Sequence, residues 1–192
     1  MERKKIVEKF FASPKKDRIE KFDELVAKDL NEAYSRGIEF LGIKSEPLEF
    51  ESLVTSYPEG LLDRAKARVI YDENKMRYDI ARFTSLSFGS DFLYYYTSVV
   101  DHAKGQVYND YSLEVSYLDI KGIEASLKFK QINEVFHQLL EFKILLQDRS
   151  IDVPLRIYLI NKDTKSENYE LERDTVIFLT NLKRFLRGKM SI

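Results

Sequence analysis

Residues 107–129 read VYNDYSLEVSYLDIKGIEASLKF, and the alternation of apolar and polar positions along them decides the class of fold. Val107, Tyr111, Leu113, Val115 and Tyr117 stand at odd positions, while Asp110, Ser112, Glu114 and Ser116 stand at even ones. Successive side chains of a strand point to opposite faces, so this spacing makes one dry face and one wet face. After Asp119-Ile120-Lys121-Gly122 the pattern resumes, with Ile123, Ala125, Leu127 and Phe129 set against Glu124, Ser126, Lys128 and Lys130. A short polar turn between two alternating runs predicts an antiparallel β-hairpin.

Similar signals extend outward from this stretch. Upstream, Val69 and Tyr71, then Asp72-Glu73-Asn74-Lys75, then Met76, Tyr78 and Ile80 predict a second hairpin. Phe83, Leu86 and Phe88 cannot all share a face with Ile80, which predicts a bulge or strand break at Ala81-Arg82. Phe92 to Tyr96 is apolar on both faces, the mark of a strand packed between two layers. Downstream, residues 131–147 read two ways. Ile132, Val135, Phe136, Leu139 and Leu140 keep helical spacing, yet Leu140, Phe142, Ile144 and Leu146 alternate like a strand. Past Asp148-Arg149-Ser150, Val153, Leu155, Ile157 and Leu159 alternate again.

Both ends of the chain carry helical spacing. Ile6, Val7, Phe10 and Phe11 predict one helix, and Ile19, Phe22, Val26, Leu30 and Ala33 a second, with Asp17 and Glu20 at capping-box spacing and Gly37 closing it. Val176, Leu179, Leu182, Phe185 and Leu186 predict a C-terminal helix, with cations in its last turn and Gly188 as its terminator. The expected class is α+β: an antiparallel β-rich sheet or six-stranded barrel with an N-terminal helical hairpin and a C-terminal helix. Glycines and prolines between Ile38 and Gly60 suggest a helical segment plus linker over 1–60 and a β-rich domain over 61–192.

Composition removes several classes of function. With 44% hydrophobic and 33% charged residues in 192, the chain is long and apolar enough to bury a core. Cysteine is absent, which excludes disulfides, thiolate metal sites and a cysteine nucleophile. A net charge of −1 gives no long-range field that recommends nucleic acid, and no apolar run approaches the about eighteen residues of a membrane span. A cytoplasmic protein without membrane insertion is the expectation.

Specific chemistry is sparse. His102 beside Asp101 supplies two parts of a triad, but no Gly-x-Ser-x-Gly elbow accompanies them. His137 sits among Phe136, Leu139 and Leu140, the setting of a core-edge histidine rather than a ligand. Neither glycine-rich phosphate motif occurs, so no nucleotide-hydrolysing site is expected, and two histidines without cysteine are too few for most zinc sites, so no metal is expected; no cofactor is expected either. Basic residues gather at both ends, from Arg3 to Arg18 and from Lys183 to Lys189, and would bind phosphates only if the ends met. The run Tyr94-Tyr95-Tyr96 reads as core and sheet packing.

The segment from Tyr117 to Ile123, the alternating strands around it, the later pair near Phe142 and Leu155, and the closing Val176 to Leu186 together resemble the PilZ domain. That family is a six-stranded barrel with a C-terminal helix that binds cyclic di-GMP through D/N-x-S-x-x-G and R-x-x-x-R motifs. Asp119 takes the first position of the barrel motif, but Lys121 stands where serine belongs and Gly122 comes one residue early. Where paired arginines belong, the chain has His102 to Gln106, and Arg77 and Arg82 are five apart. The resemblance implies Asp119, Lys121, Gly122 and His102 as ligand-facing positions, with cyclic dinucleotide binding weak or absent because no arginine fork is present. The expected function is a non-catalytic binding or adaptor protein. Its partner is a protein or a second copy, met by the stripe Phe22, Val26 and Leu30. The rival readings are an α+β chaperone or escort, which requires 131–147 to be helical, and an enzyme of unidentified class.

Overall fold

The computed structural model describes residues 2–62, 65–70, 75–132, 135–160 and 173–190. Among them, three helices flank nine strands. The helices are α1 (Glu2–Ala12), α2 (Lys16–Leu41) and α3 (Arg173–Met190). The strands are β1 (Phe50–Pro58), β2 (Ala67–Ile70), β3 (Lys75–Tyr78), β4 (Ile80–Phe88), β5 (Phe92–Asp101), β6 (Gln106–Ser116), β7 (Gly122–Ile132), β8 (Val135–Leu145) and β9 (Ser150–Ile160). They form antiparallel sheets in the orders β1-β4-β5-β6, β2-β3 and β7-β8-β9, not closed into a barrel. The class is α+β.

The stretch 107–129 holds two strands but no hairpin. β6 pairs with β5, Leu113 opposite Tyr95, whereas β7 pairs with β8, Leu127 opposite Leu140. Between them the chain makes a 3₁₀ turn at Tyr117–Asp119 and passes from one sheet to the other. Alternation reveals which face of a strand is dry and is silent about its neighbour, which is why the pairing differs from the expectation. The hairpin of β2 and β3 is present, with its tip at 71–74 outside the described residues.

The strand break expected at Ala81-Arg82 is absent. β4 keeps unbroken register with β5 from Ile80 opposite Asp101 to Phe88 opposite Leu93. Its two apolar sets serve two cores. Ala81 and Phe83 join Ala33 of α2 with Tyr96 and Val100, while Leu86 and Phe88 join Leu93, Val115, β8, β9 and α3.

Register shifts fall instead on edge strands. On β1, two residues lie between Phe50 and Leu53 against one on β4; on β6, Asn109 and Asp110 oppose Ser98; on β9, Leu155 is the extra residue. Because β1 is hydrogen-bonded to β4, residues 50–58 belong to the four-stranded sheet.

The helical hairpin covers the four-stranded sheet. α1 and α2 enclose Val7, Phe10 and Phe22, with Phe10 and Phe22 stacked at 4.2 Å. Leu30, Ala33, Tyr34 and Leu41 of α2 then lie on Phe83, Tyr96 and Val100. α2 does not stop at Gly37 but continues to Leu41. Gly42, at φ 72°, ends it, and Ile43 donates back to the Ile38 carbonyl at 3.2 Å. No side chain caps its start at Lys15, so the Asp17–Glu20 signal is not used there. Gly37 serves packing, since a Cβ there would stand 2.6 Å from Cδ1 of Tyr96.

On the opposite face, Leu179, Leu182 and Leu186 of α3 meet Leu140, Phe142, Ile144, Ile151 and Val153. Residues 135–145 are strand, so the helical reading of 131–147, and the chaperone-like topology that needed it, is overturned. Gly188 lies inside α3, with nothing within 4 Å of a built Cβ, and does not terminate it.

Candidate functional site

His102 lies in the turn that follows β5, and its own N–H donates to the Asp79 carbonyl at 2.9 Å. Its ring is fully buried, with Nδ1 2.8 Å from Asp29 Oδ2 and Nε2 without a hydrogen-bond partner. Arg3 Nη1 donates to both Asp29 oxygens, at 2.6 and 2.7 Å, and its guanidinium lies against Gly105, whose φ of 65° holds the turn. A general base must reach the proton it removes. This imidazole reaches no solvent, and the Phe22 ring stands 6.4 Å from it. The cluster therefore fastens α1 and α2 to the end of β5. Two further contacts tie the helices to the two-stranded sheet: Arg77 of β3 grips Asp23 of α2 at 2.7 and 2.6 Å, and Arg68 of β2 donates to the Phe11 carbonyl at the end of α1. Among the described residues no group of three His, Cys, Asp or Glu side chains is placed to hold a metal ion.

Asp119, Lys121 and Gly122 are brought together, but His102 is not with them. Tyr117 N–H donates to the Asp91 carbonyl, at the start of β5, and His102 follows its end. The two places are thus separated by β5, about 30 Å at ~3.3 Å per residue. Asp119 lines a shallow groove of about 420 Å³ with Glu114, Val115 and residues 146–149. Lys121 is exposed, and its N–H donates to the Leu145 carbonyl at 2.8 Å. Gly122 lies outside the left-handed region, and a Cβ there would make an ordinary 3.4 Å contact. Nothing in this turn requires a glycine in the way a phosphate cradle does.

A second arrangement occupies the face of the four-stranded sheet that α2 leaves uncovered, beyond the end filled by α3. The bulge at Asn109, whose φ is 56°, resets the facing of β6. Val107 points to α2 and Asp110 reaches back to Arg36 and Tyr96, while Tyr108 and Tyr111 both fall on the other face. Tyr111 is 48% exposed and Tyr108 38%, and the Tyr111 ring meets that of half-buried Tyr95 edge-on at 6.1 Å. Behind them lie Thr84 and Thr97, the latter donating to the Phe83 carbonyl, and the bidentate pair of Arg82 with Glu59 at 2.8 and 2.6 Å. Burial pushes the Tyr57 phenol up to about 12, and raises Tyr95 as well. Thr55, opposite Thr84, keeps a buried hydroxyl with no partner.

No family model, curated protein or solved structure matches this chain. The site therefore rests on geometry alone.

The proposed partner stripe is used inside the chain. Phe22 is buried between the helices, Val26 packs beside it, and Leu30 packs against the sheet, because an amphipathic face covers the nearest apolar surface. The basic ends do not meet: Arg3 sits at the end of β5, while Lys189 of α3 donates to the Ser90 carbonyl before its start. The His137 side chain and residues 161–172 lie outside what is described. Among the described residues no helix is long and apolar enough to cross a membrane. The tyrosine face was missed in the sequence because Tyr108 and Tyr111 have opposite parity there. Only the bulge puts them side by side.

Proposed function

We propose that this chain is a non-catalytic binding or adaptor protein whose recognition surface is the tyrosine face of β5 and β6. The observation that carries this reading is the exposure of Tyr108 and Tyr111 beside half-buried Tyr95, with half-buried Tyr57 on the same face three strands away on β1. Tyrosine offers large, stiff contact area with a polar tip, and such residues are enriched where proteins meet. The Arg82 charge at the centre is already neutralised by Glu59, so the face suits a peptide or protein segment better than a phosphate.

The PilZ-like reading stays a degenerate one. Around Asp119 the groove has Glu114 and Asp148 as further carboxylates and Arg149 as its cation, which disfavours a twice-charged dinucleotide. Calorimetry with cyclic di-GMP is expected to show no binding, and tight binding would return the assignment to nucleotide sensing. The positive test is peptide display against the purified chain. Selected peptides should lose binding to a Tyr108→Ala/Tyr111→Ala variant that keeps the wild-type circular dichroism. Equal binding to the variant would move the recognition surface elsewhere.

A further inference from the structure

Long sheet edges carry rows of unpaired N–H and C=O groups, and folded proteins blunt them with bulges, prolines or cover. Three of the four edges of the two larger sheets follow this rule. β1 and β6 are bulged, and β9 is bulged, contains Pro154 and runs beside β1. β7 is the exception. It stays in unbroken register with β8 from Gly122 opposite Leu145 to Ile132 opposite Val135, with no proline in its length. Lys121, Glu124, Ala125, Leu127 and Lys128 along it are all exposed.

We infer that β7 is an assembly edge that pairs antiparallel with β7 of a second copy of this chain, in the two-fold register centred on Ser126. Across β9, β8 and β7 the outer face carries the row Asp152, Lys143, Glu124, alternating in sign, with Lys143 Nζ 3.0 Å from Asp152. The row ends on an exposed anion. Lys128 donates to Glu141 of its own β8 and is still half-exposed; the register centred on Ser126 sets Lys128 of the second copy opposite Glu124 as well, twice by symmetry, and so continues the alternation. On the inner face it sets Ala125 opposite Leu127, joining two apolar rows whose neighbours Phe142 and Leu140 are buried. Registers centred on Glu124 or on Lys128 set like charges opposite one another, which destabilises a pair. The isologous contact closes at two copies and leaves no further open edge of this kind.

The test is sedimentation equilibrium on the full chain over a range of concentrations, with a dimer expected. Glu124→Lys and Lys128→Glu, each folded by circular dichroism, should raise the dissociation constant by roughly tenfold or more, because both symmetric contacts become repulsive. Mixing the two variants should restore a dimer of one copy of each, since every charge then meets its opposite. An independent arm uses the absence of cysteine: Ser126→Cys should oxidise to a covalent dimer, whereas Lys104→Cys, on an exposed turn, should not. A wild type that is monomeric throughout overturns the inference, as do dimers unaffected by either charge reversal, a mixture that stays monomeric, or cross-linking at 126 no better than at 104.

Discussion

Gly37 and Gly188 are both helical glycines, and their surroundings give them opposite weights. At Gly37 a methyl group would stand 2.6 Å from Cδ1 and 2.9 Å from Cγ of Tyr96, a ring that is fully buried and tied through its hydroxyl to Asp110 at 2.5 Å. The ring has no room to retreat. Gly37→Ala is expected to lower stability by about 1–3 kcal/mol, the usual effect of overpacking. At Gly188 nothing lies within 4 Å, so alanine there only removes glycine's backbone entropy, and Gly188→Ala should raise stability by ~0.5–1 kcal/mol. Urea denaturation of the two variants checks both signs, and a stabilised Gly37→Ala would show that the close approach to Tyr96 is not felt. The sequence displays the two glycines identically. What separates them is a tyrosine 59 positions downstream of Gly37, and no local propensity reports such a contact.

The docking of α2 onto β6 depends on a feature with no sequence signature, the bulge at Asn109 and Asp110. It turns Asp110 toward α2, where Arg36 holds both carboxylate oxygens at 2.8 and 2.7 Å and the Tyr96 hydroxyl donates a third bond. The Arg36 bonds, above all, hold the Asp110 carboxyl below its ordinary 3.8. In neutral solution both folded and unfolded chains are ionised at this site and the full contribution is present. As pH falls through 3.8 the unfolded chain takes up the proton first, so the contribution is lost toward the lower folded value. Asp110→Asn should therefore reduce stability at neutral pH and flatten its decline on acidification. An acid limb unchanged by the substitution would remove Asp110 from this role. Elsewhere the elements were legible where periodicity was strong: both N-terminal helices, α3, β6 and β7 exist at the places spacing put them, while the ends of α2 and α3 lie beyond the glycines expected to close them. Pairing was not legible, because the alternation of β6 and β7 is equally satisfied by partners in two different sheets. In β8 the helical and strand series share Leu140, so burial of Leu140, Phe142 and Ile144 against α3, a long-range fact, makes the choice.

Every layer of the molecule encloses a phenol, and this couples the whole fold to alkaline pH. Tyr96 lies between α2 and the main sheet, Tyr78 bonds Ser56 at 2.8 Å where the small sheet meets β1, and Tyr117 lies under α3 with its ring 6.0 Å from Phe185. Burial pushes Tyr57, Tyr78 and Tyr96 up to about 12, and drives Tyr94 and Tyr117 further up. In the unfolded chain these phenols ionise near ~10. Below that value neither state is ionised and stability is untouched. Above it only the unfolded chain gains ionisation free energy, up to ~1.4 kcal/mol per pH unit for a phenol as enclosed as Tyr78. Tyr78 is the most enclosed of these phenols, and solvent screening makes the others contribute less, so their sum by about two pH units above that value reaches the lower part of a stability of about 5–15 kcal/mol. The chain should thus unfold cooperatively between ~10 and ~12, with tyrosinate absorbance rising in step with the loss of circular dichroism. Since the 12 tyrosines share the chain with no tryptophan, the absorbance reports them without interference. Tyr78→Phe should move the midpoint to higher pH, because one group that favours the unfolded state has been removed. A smooth titration centred on the ordinary phenol value, with the far-ultraviolet signal intact, would mean that these rings are open to water and the layers are not sealed as described.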